Sequence, residues 1–216
     1  MRKLQAVLLG SLGLGMVVLA TSCTTGQGVA GKGMMMDNQP GRALDMADME
    51  MMKNMAMKNM DKYMGSKEAM MKELPMAMKG KQMRSMARGQ ELFNSAAIGT
   101  NGRTCNTCHP GGGTTGGTVD TPMASELTGK PYALPVPSLI GAAATFPKFK
   151  VPNDKVITVS QMNNNCIMMF LGAKPLPIDS AESVNLASFV TSLSAGETLE
   201  PGKMPEMMKK MMEGAD

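Results

Sequence analysis

The stretch Cys105-Asn106-Thr107-Cys108-His109 decides the reading of this 216-residue chain. Two thiols with two residues between them, followed directly by an imidazole, form the pattern of a covalent attachment site for c-type haem. Each thiol can add to one vinyl group of a single porphyrin. The histidine then stands where it can ligate the iron from the proximal side. His109 is the sole histidine of the sequence, which excludes any site built on two imidazoles. A structural zinc site wants four protein ligands, commonly from two CxxC-like pairs, and the remaining cysteines, Cys23 and Cys166, share no such spacing. A thioredoxin-like redox pair belongs to a βαβ unit, and no such pattern surrounds this one. The motif predicts one covalently bound haem c.

Composition agrees with a small core completed by a large flat cofactor. Aromatic residues are 3% of the chain and tryptophan is absent, whereas methionine occurs 28 times. The net charge of +4 is unevenly placed: from Ser85 to Glu200 there are 7 Lys+Arg against 8 Asp+Glu. The excess positive charge lies in the flanking segments, and no basic face argues for nucleic acid.

Residues 1–23 read as an export signal. Arg2 and Lys3 precede the apolar run Leu4 to Ala20, too short and wrongly flanked for a transmembrane helix. The run ends in Leu19-Ala20-Thr21-Ser22-Cys23, which resembles a bacterial lipobox, with Ala20 where Leu or Val is more usual. Cys23 is then the lipidated residue and the chain an envelope lipoprotein, or a soluble exported protein cleaved nearby. Either way the expected location is the periplasm or cell envelope, where c-type haem is attached.

Residues 24–84 form a methionine-rich tether, and residues 201–216 a tail of similar composition. Met34 to Met86 holds 17 of the methionines, among Lys, Asp, Glu and Asn. Spacings such as Met46, Met49, Met52 and Met55 fit helical periods, yet methionine falls on nearly every face. A partly helical, mobile arm is expected. Thioethers favour Cu(I), so clusters such as Met34-Met35-Met36 are candidate soft-metal sites. The plainer reading is a spacer or a pliable surface for a protein partner.

The folded domain is expected over 85–200. Gly89-Gln90-Glu91-Leu92-Phe93 sits on a short helical stretch that should end near Ile98-Gly99. This run resembles the G-x-x-L-F signature of class I cytochromes c, and Pro137-Ser138-Leu139-Ile140-Gly141 resembles their P-x-L-x-G element. The resemblance implies an all-α fold around the haem, with Gly89 permitting close helix approach and Phe93 filling space beside the porphyrin. It further implies that the Pro137 carbonyl accepts the second N–H of His109, with Leu139 nearby, and that Phe189 on the last helix lies close to Gly89 or Phe93. Pro137 could equally end a loop. The glycine run Gly111–Gly117 reads as a flexible surface excursion, and Phe146-Pro147-Lys148-Phe149 as a turn.

Thr158-Val159-Ser160-Gln161 has the form of a capping box opening a helix that Gly172 should stop. Val159, Met162, Cys166 and Met169 share one face of it, with Met168 nearly opposite Cys166. Asp179 reads as the N-cap of the last helix. The segment Gln161 to Cys166, with Gly172-Ala173-Lys174-Pro175-Leu176-Pro177-Ile178-Asp179-Ser180-Ala181-Glu182, resembles the Sox-type and thiosulfate-dehydrogenase-type cytochromes. There a cysteine in this position ligates a catalytic haem; Met162 and Asn163 depart from that pattern at its arginine and isoleucine.

The distal ligand is therefore Cys166, with Met169 and Met168 as alternatives, or the position is open. A thiolate favours a low potential and a thioether raises it. The function expected is one-electron transfer to a redox protein partner at the cell envelope. Two alternatives are a subunit of a thiosulfate-oxidising or sulfur-oxidising enzyme, with Cys166 catalytic, and an envelope copper-binding protein.

Overall fold

The computed structural model describes residues 46–204, together with Lys209 and Glu213. The readings made for the 1–23 leader, Cys23 and Met34–Met36 lie outside the described residues, as does most of the 201–216 tail. The chain divides into two compact units, Met1–Ala56 and Met57–Asp216. Helix α1 (Met46–Met64) buries none of its residues, as expected for methionine spread over every face. Among the described residues no helix is long and apolar enough to cross a membrane.

Helix α2 runs from Leu74 to Asn94, much longer than the short stretch expected around Gly89. Leu, Met, Ala, Lys and Gln all favour helix, and Pro75 sits in the first turn, where its missing N–H costs nothing. The helix stops because Ser95 turns extended, at ψ 138. The Ser95 hydroxyl accepts from Ala97 N and opens a 3₁₀ turn over Ala96–Ile98.

Three further helices follow. The short α3 (Cys105–Cys108) carries the two thiols of the motif, and a capping box between Thr104 and Thr107 sets its start. Helix α4 (Val159–Phe170) opens on the Thr158–Gln161 capping box and gives way to Gly172 at φ +67, a conformation that suits glycine. Helix α5 (Ala181–Ser192) is capped by Ser180, whose hydroxyl accepts from Ser183 N at 3.2 Å. Ser180, not Asp179, is the N-cap. Its backbone is extended at ψ 152, the geometry that a cap requires.

Two antiparallel hairpins are added to the helices. Strands β1 (Gly117–Ala124) and β2 (Pro131–Val136) fold the segment between His109 and Pro137 back on itself. Strands β3 (Lys148–Lys150) and β4 (Lys155–Ile157) pair Lys148 with Ile157 and Lys150 with Lys155. The expectation of an all-α domain is thus corrected in these two places, and the turn read at Phe146–Phe149 is the entry to β3. The glycine run is also more than a surface excursion. Gly113 is buried at φ +94, and a Cβ there would come within 2.8 Å of Leu193 Cδ1.

The core is Phe93, Ile167, Leu171, Leu186, Phe189 and Val190, with Leu92, Ile98, Cys105, Leu139, Val159 and Leu193 packed around it. Phe93 of α2 meets Phe189 of α5 edge-on at 5.2 Å between centroids. Each such side chain contributes about 1.5–3 kcal/mol by leaving water. The helices approach this closely because position 89 has no side chain: a Cβ there would collide with the Asn185 carbonyl oxygen and lie 2.7 Å from Phe189 Cβ. Beside the crossing, Ser85 Oγ donates to Asn185 Oδ1 at 2.8 Å. Gly89→Ala should therefore destabilise the haem-loaded protein by about 3 kcal/mol, the upper range for an overpacked site. Guanidinium unfolding measures this, and a loss under about 0.5 kcal/mol, the ordinary value for a surface substitution, would contradict the close crossing.

Candidate haem site

The site is assembled around His109. Its Nδ1 donates to the Pro137 carbonyl at 2.9 Å, although 28 positions of chain separate the two. That bond orients the ring and leaves Nε2 as the nitrogen with a lone pair for a metal. Burial pushes the imidazole below its ordinary pKa, and the bond to Pro137 opposes the shift. Leu139 N donates to Gly113 O at 2.8 Å, and Gly113 N to His109 O at 3.0 Å. The Pro137–Leu139 segment is thereby fastened to the turn that follows the histidine. Asn106 reinforces that turn, accepting from Gly112 N at 2.8 Å. The Phe93 ring stands 6.5 Å from the His109 ring, tilted by 44°.

Helix α4 brings the third thiol. Cys166 lies within electrostatic reach of both Cys105 and Cys108. Burial raises the Cys105 thiol to about 12, with further upward contributions from Cys166 and then Cys108. Burial likewise raises Cys166 to about 11, Cys108 adding to the rise and the Lys150 ammonium opposing it. Cys105 and Cys166, poorly solvated, stay protonated unless bonded to carbon or a metal. Met169 is half-buried, whereas Met168 is 46% exposed on the side away from the core. The Cys166 sulfur is close to the motif's thiols.

Several polar side chains that the sequence reading passed over hold α4 in place. Thr100 N donates to Leu171 O at 2.8 Å, Thr100 Oγ1 to Gly172 O at 2.7 Å, and Asn101 Nδ2 to Phe170 O at 2.9 Å. The residues leading into the motif are thus tied to the end of the helix bearing Cys166. Asn164 closes a ring with Leu176, donating to its carbonyl at 2.8 Å and accepting from its N–H at 2.9 Å. Asn165 exchanges two bonds with Asn153 at the β3–β4 end. Asn164 and Asn165 lie on the helix expected from the capping box, and only their partners reveal this role.

The residues fit a c-type haem on their own chemistry. Two thiols on one helical turn and an imidazole with Nε2 unengaged would supply the attachments and the histidine ligand of such a group, with a third thiol nearby. Asn163 Nδ2 is buried without a hydrogen-bond partner. It lies one turn before Cys166 on α4, so an unmatched donor shares that face. Cys105, Cys108 and His109 would hold the group, with Pro137 orienting the ring and Phe93 and Leu139 packing beside it.

This arrangement, a CxxCH turn under a helix crossing with its histidine fastened to a proline carbonyl, defines a class I cytochrome c domain. Comparison with known proteins narrows the class. Residues 134–199 match the family described as SoxA/TsdA, cytochrome c domain, a stretch that contains Pro137, Leu139 and Cys166 and follows the CxxCH motif. That stretch accordingly resembles the cytochrome c domain of SoxA/TsdA, and such a domain implies covalently bound haem c. Among solved structures, the crystal structure of SoxXA from P. pantotrophus aligns at 19% identity with a TM-score of 0.42, covering 61% of this chain and 40% of that one. The chain thus spans less than half of that structure's length. No curated protein matches it.

Asn164→Ala removes both bonds to Leu176 and leaves two backbone groups unpaired. Unfolding of the loaded protein should show a loss of about 2–3 kcal/mol; an unchanged midpoint would mean that the 171–178 segment is held otherwise.

Proposed function

We propose that this chain is an exported monohaem cytochrome that passes single electrons to a redox protein partner in the cell envelope, with His109 and Cys166 as axial ligands. One observation supports the reading above the rest: a histidine locked through Nδ1 on Pro137 faces the same small region as three thiols from two separate helices. When bound there, haem c supplies a one-electron iron couple. The protein's part is to hold the ligands, exclude water and set the potential. A thiolate from Cys166 favours a low potential, and its high thiol pKa means that ionisation is coupled to metal binding. The single CxxCH motif supports one haem per chain. Cys23 as a lipid anchor agrees with an envelope location.

A second reading is a subunit of an enzyme that oxidises or conjugates a sulfur anion such as thiosulfate at a Cys166-ligated haem. The SoxA/TsdA match over the stretch bearing Cys166 favours it. Reduction of the haem by added thiosulfate separates the two, since a pure carrier is reduced only by its partner. Cu(I) uptake on the methionine arms is a distinct proposal, supported by exposed thioethers at Met49, Met52 and Met55, spaced three apart along α1.

Electron paramagnetic resonance and near-infrared spectra of the oxidised protein test the ligand set. The wild type should give a His/thiolate signature, and Cys166→Met a His/Met signature with a higher midpoint potential. Identical spectra would refute Cys166 as the ligand. In the Cys105→Ser/Cys108→Ser variant, acidified acetone should extract all the colour, whereas the wild type retains it.

A further inference from the structure

Helix α1 uses methionine where leucine would pack as well. Every large apolar side chain of this helix except Tyr63 is a methionine, although the two residue types favour helix about equally. A thioether chosen over a hydrocarbon so consistently points to the sulfur. Within the unit Met57–Asp216, Met57, Met60, Asp61 and Met64 occupy helical positions i, i+3, i+4 and i+7, so the four share one stripe. Neighbours on such a stripe have Cβ atoms about 5–6 Å apart, and flexible methionine side chains can meet between them. The three methionines are each about half exposed, and Asp61 is exposed beside them. The stripe is open to solvent.

The turn that carries it is also held. Tyr63 is half-buried. Lys62 Nζ stands 4.8 Å from the centroid of its ring, and Lys81 Nζ of α2 stands 5.6 Å from the same centroid. Both are within the range at which a cation is attracted to an aromatic face. The ring thus ties the end of α1 to a helix further along the chain, and donors on a fixed turn lose less freedom when they bind.

The donor set selects the metal. Thioethers are soft, neutral ligands that suit Cu(I). Three of them leave its single charge uncompensated, and Asp61, in the middle of the stripe, supplies the opposite charge. A divalent ion such as zinc takes Cys, His or carboxylate ligands, and among the described residues no three of His, Cys, Asp and Glu gather to hold one. A protein partner packed on the stripe would instead bury the Asp61 carboxylate, which is costly unless a cation comes with it.

We propose that Met57, Met60 and Met64 form a three-sulfur site for one Cu(I) ion, with Asp61 balancing its charge and Tyr63 as a positioning residue. The site gives the Cu(I) reading of the arm a definite place and rests on that reading for the identity of the metal. The haem takes no part in it.

Anaerobic equilibrium dialysis of the haem-loaded full chain against a Cu(I) buffer, with bound copper counted by atomic absorption, tests the site. Met57→Leu/Met60→Leu/Met64→Leu should bind one Cu(I) fewer per chain than the wild type, since leucine keeps the helix and removes only sulfur. Met76→Leu, on α2, should bind as many as the wild type. Asp61→Asn and Tyr63→Leu should each weaken the site about tenfold with its stoichiometry kept, as for residues that support a ligand set from outside. Tyr63→Phe keeps the ring and should restore the wild-type affinity. Equal copper counts in the wild type and the triple variant overturn this site and leave Cu(I) uptake elsewhere on the arms standing. Loss of an ion on Met76→Leu as well, which uptake without a defined site would give, also overturns it. No copper on the wild type overturns both.

Discussion

The close crossing of α2 and α5 at Gly89 is the constraint on which the rest of the molecule depends. A backbone carbonyl, Asn185 O, fills the place that a side chain at position 89 would take. With the helices at that separation, Phe93 and Phe189 meet edge-on and become a shared wall. Leu186 and Val190 close it from α5, and Ile167 and Leu171 from α4. So few large side chains suffice because each is placed at the crossing. Had the helices stood further apart, Phe93 would lose its partner and the His109 ring its nearest aromatic neighbour.

Site geometry depends on ties that span long stretches of chain. His109 and Cys166 lie on separate short elements, and neither could be held by its own helix alone. Thr100 and Asn101 bind the approach to the motif to the C-terminal end of α4, and Gly113 binds its exit to Leu139. These are hydrogen bonds to main-chain groups at helix ends and turns, the groups that would otherwise be unsatisfied. The β1–β2 hairpin lengthens the path from His109 to Pro137 without disturbing this clasp, since both of its ends return to the same place. An insertion is tolerated where its two ends are already neighbours.

Electrostatically the site disfavours free thiolates. Cys105 and Cys166 are poorly solvated and resist ionisation, so their chemistry is reserved for carbon or metal. The Lys150 ammonium opposes that shift at Cys166 without overcoming it.

Much of this was legible before any coordinates. The CxxCH spacing alone announced the haem attachment, and the likeness of Gly89 and Phe93 to the G-x-x-L-F signature implied a close crossing; both are local patterns. The Thr158–Gln161 capping box and the Gly172 stop were equally local. The N-cap of α5 was misplaced by one residue, since Asp179 and Ser180 are both good caps and only the extended backbone at Ser180 chooses between them. The two hairpins were not legible: β3 and β4 are three residues each, too short for a period to declare itself, and β1–β2 is broken by a register shift between Asp120 and Ala124. The sequence by itself determined which residues can bind a porphyrin, because covalent chemistry depends on residue type and short spacing. Only the tertiary structure decided that the Cys166 sulfur comes close to the motif's thiols and which asparagines hold α4 in place, because those relations join residues far apart in the chain and are set by packing.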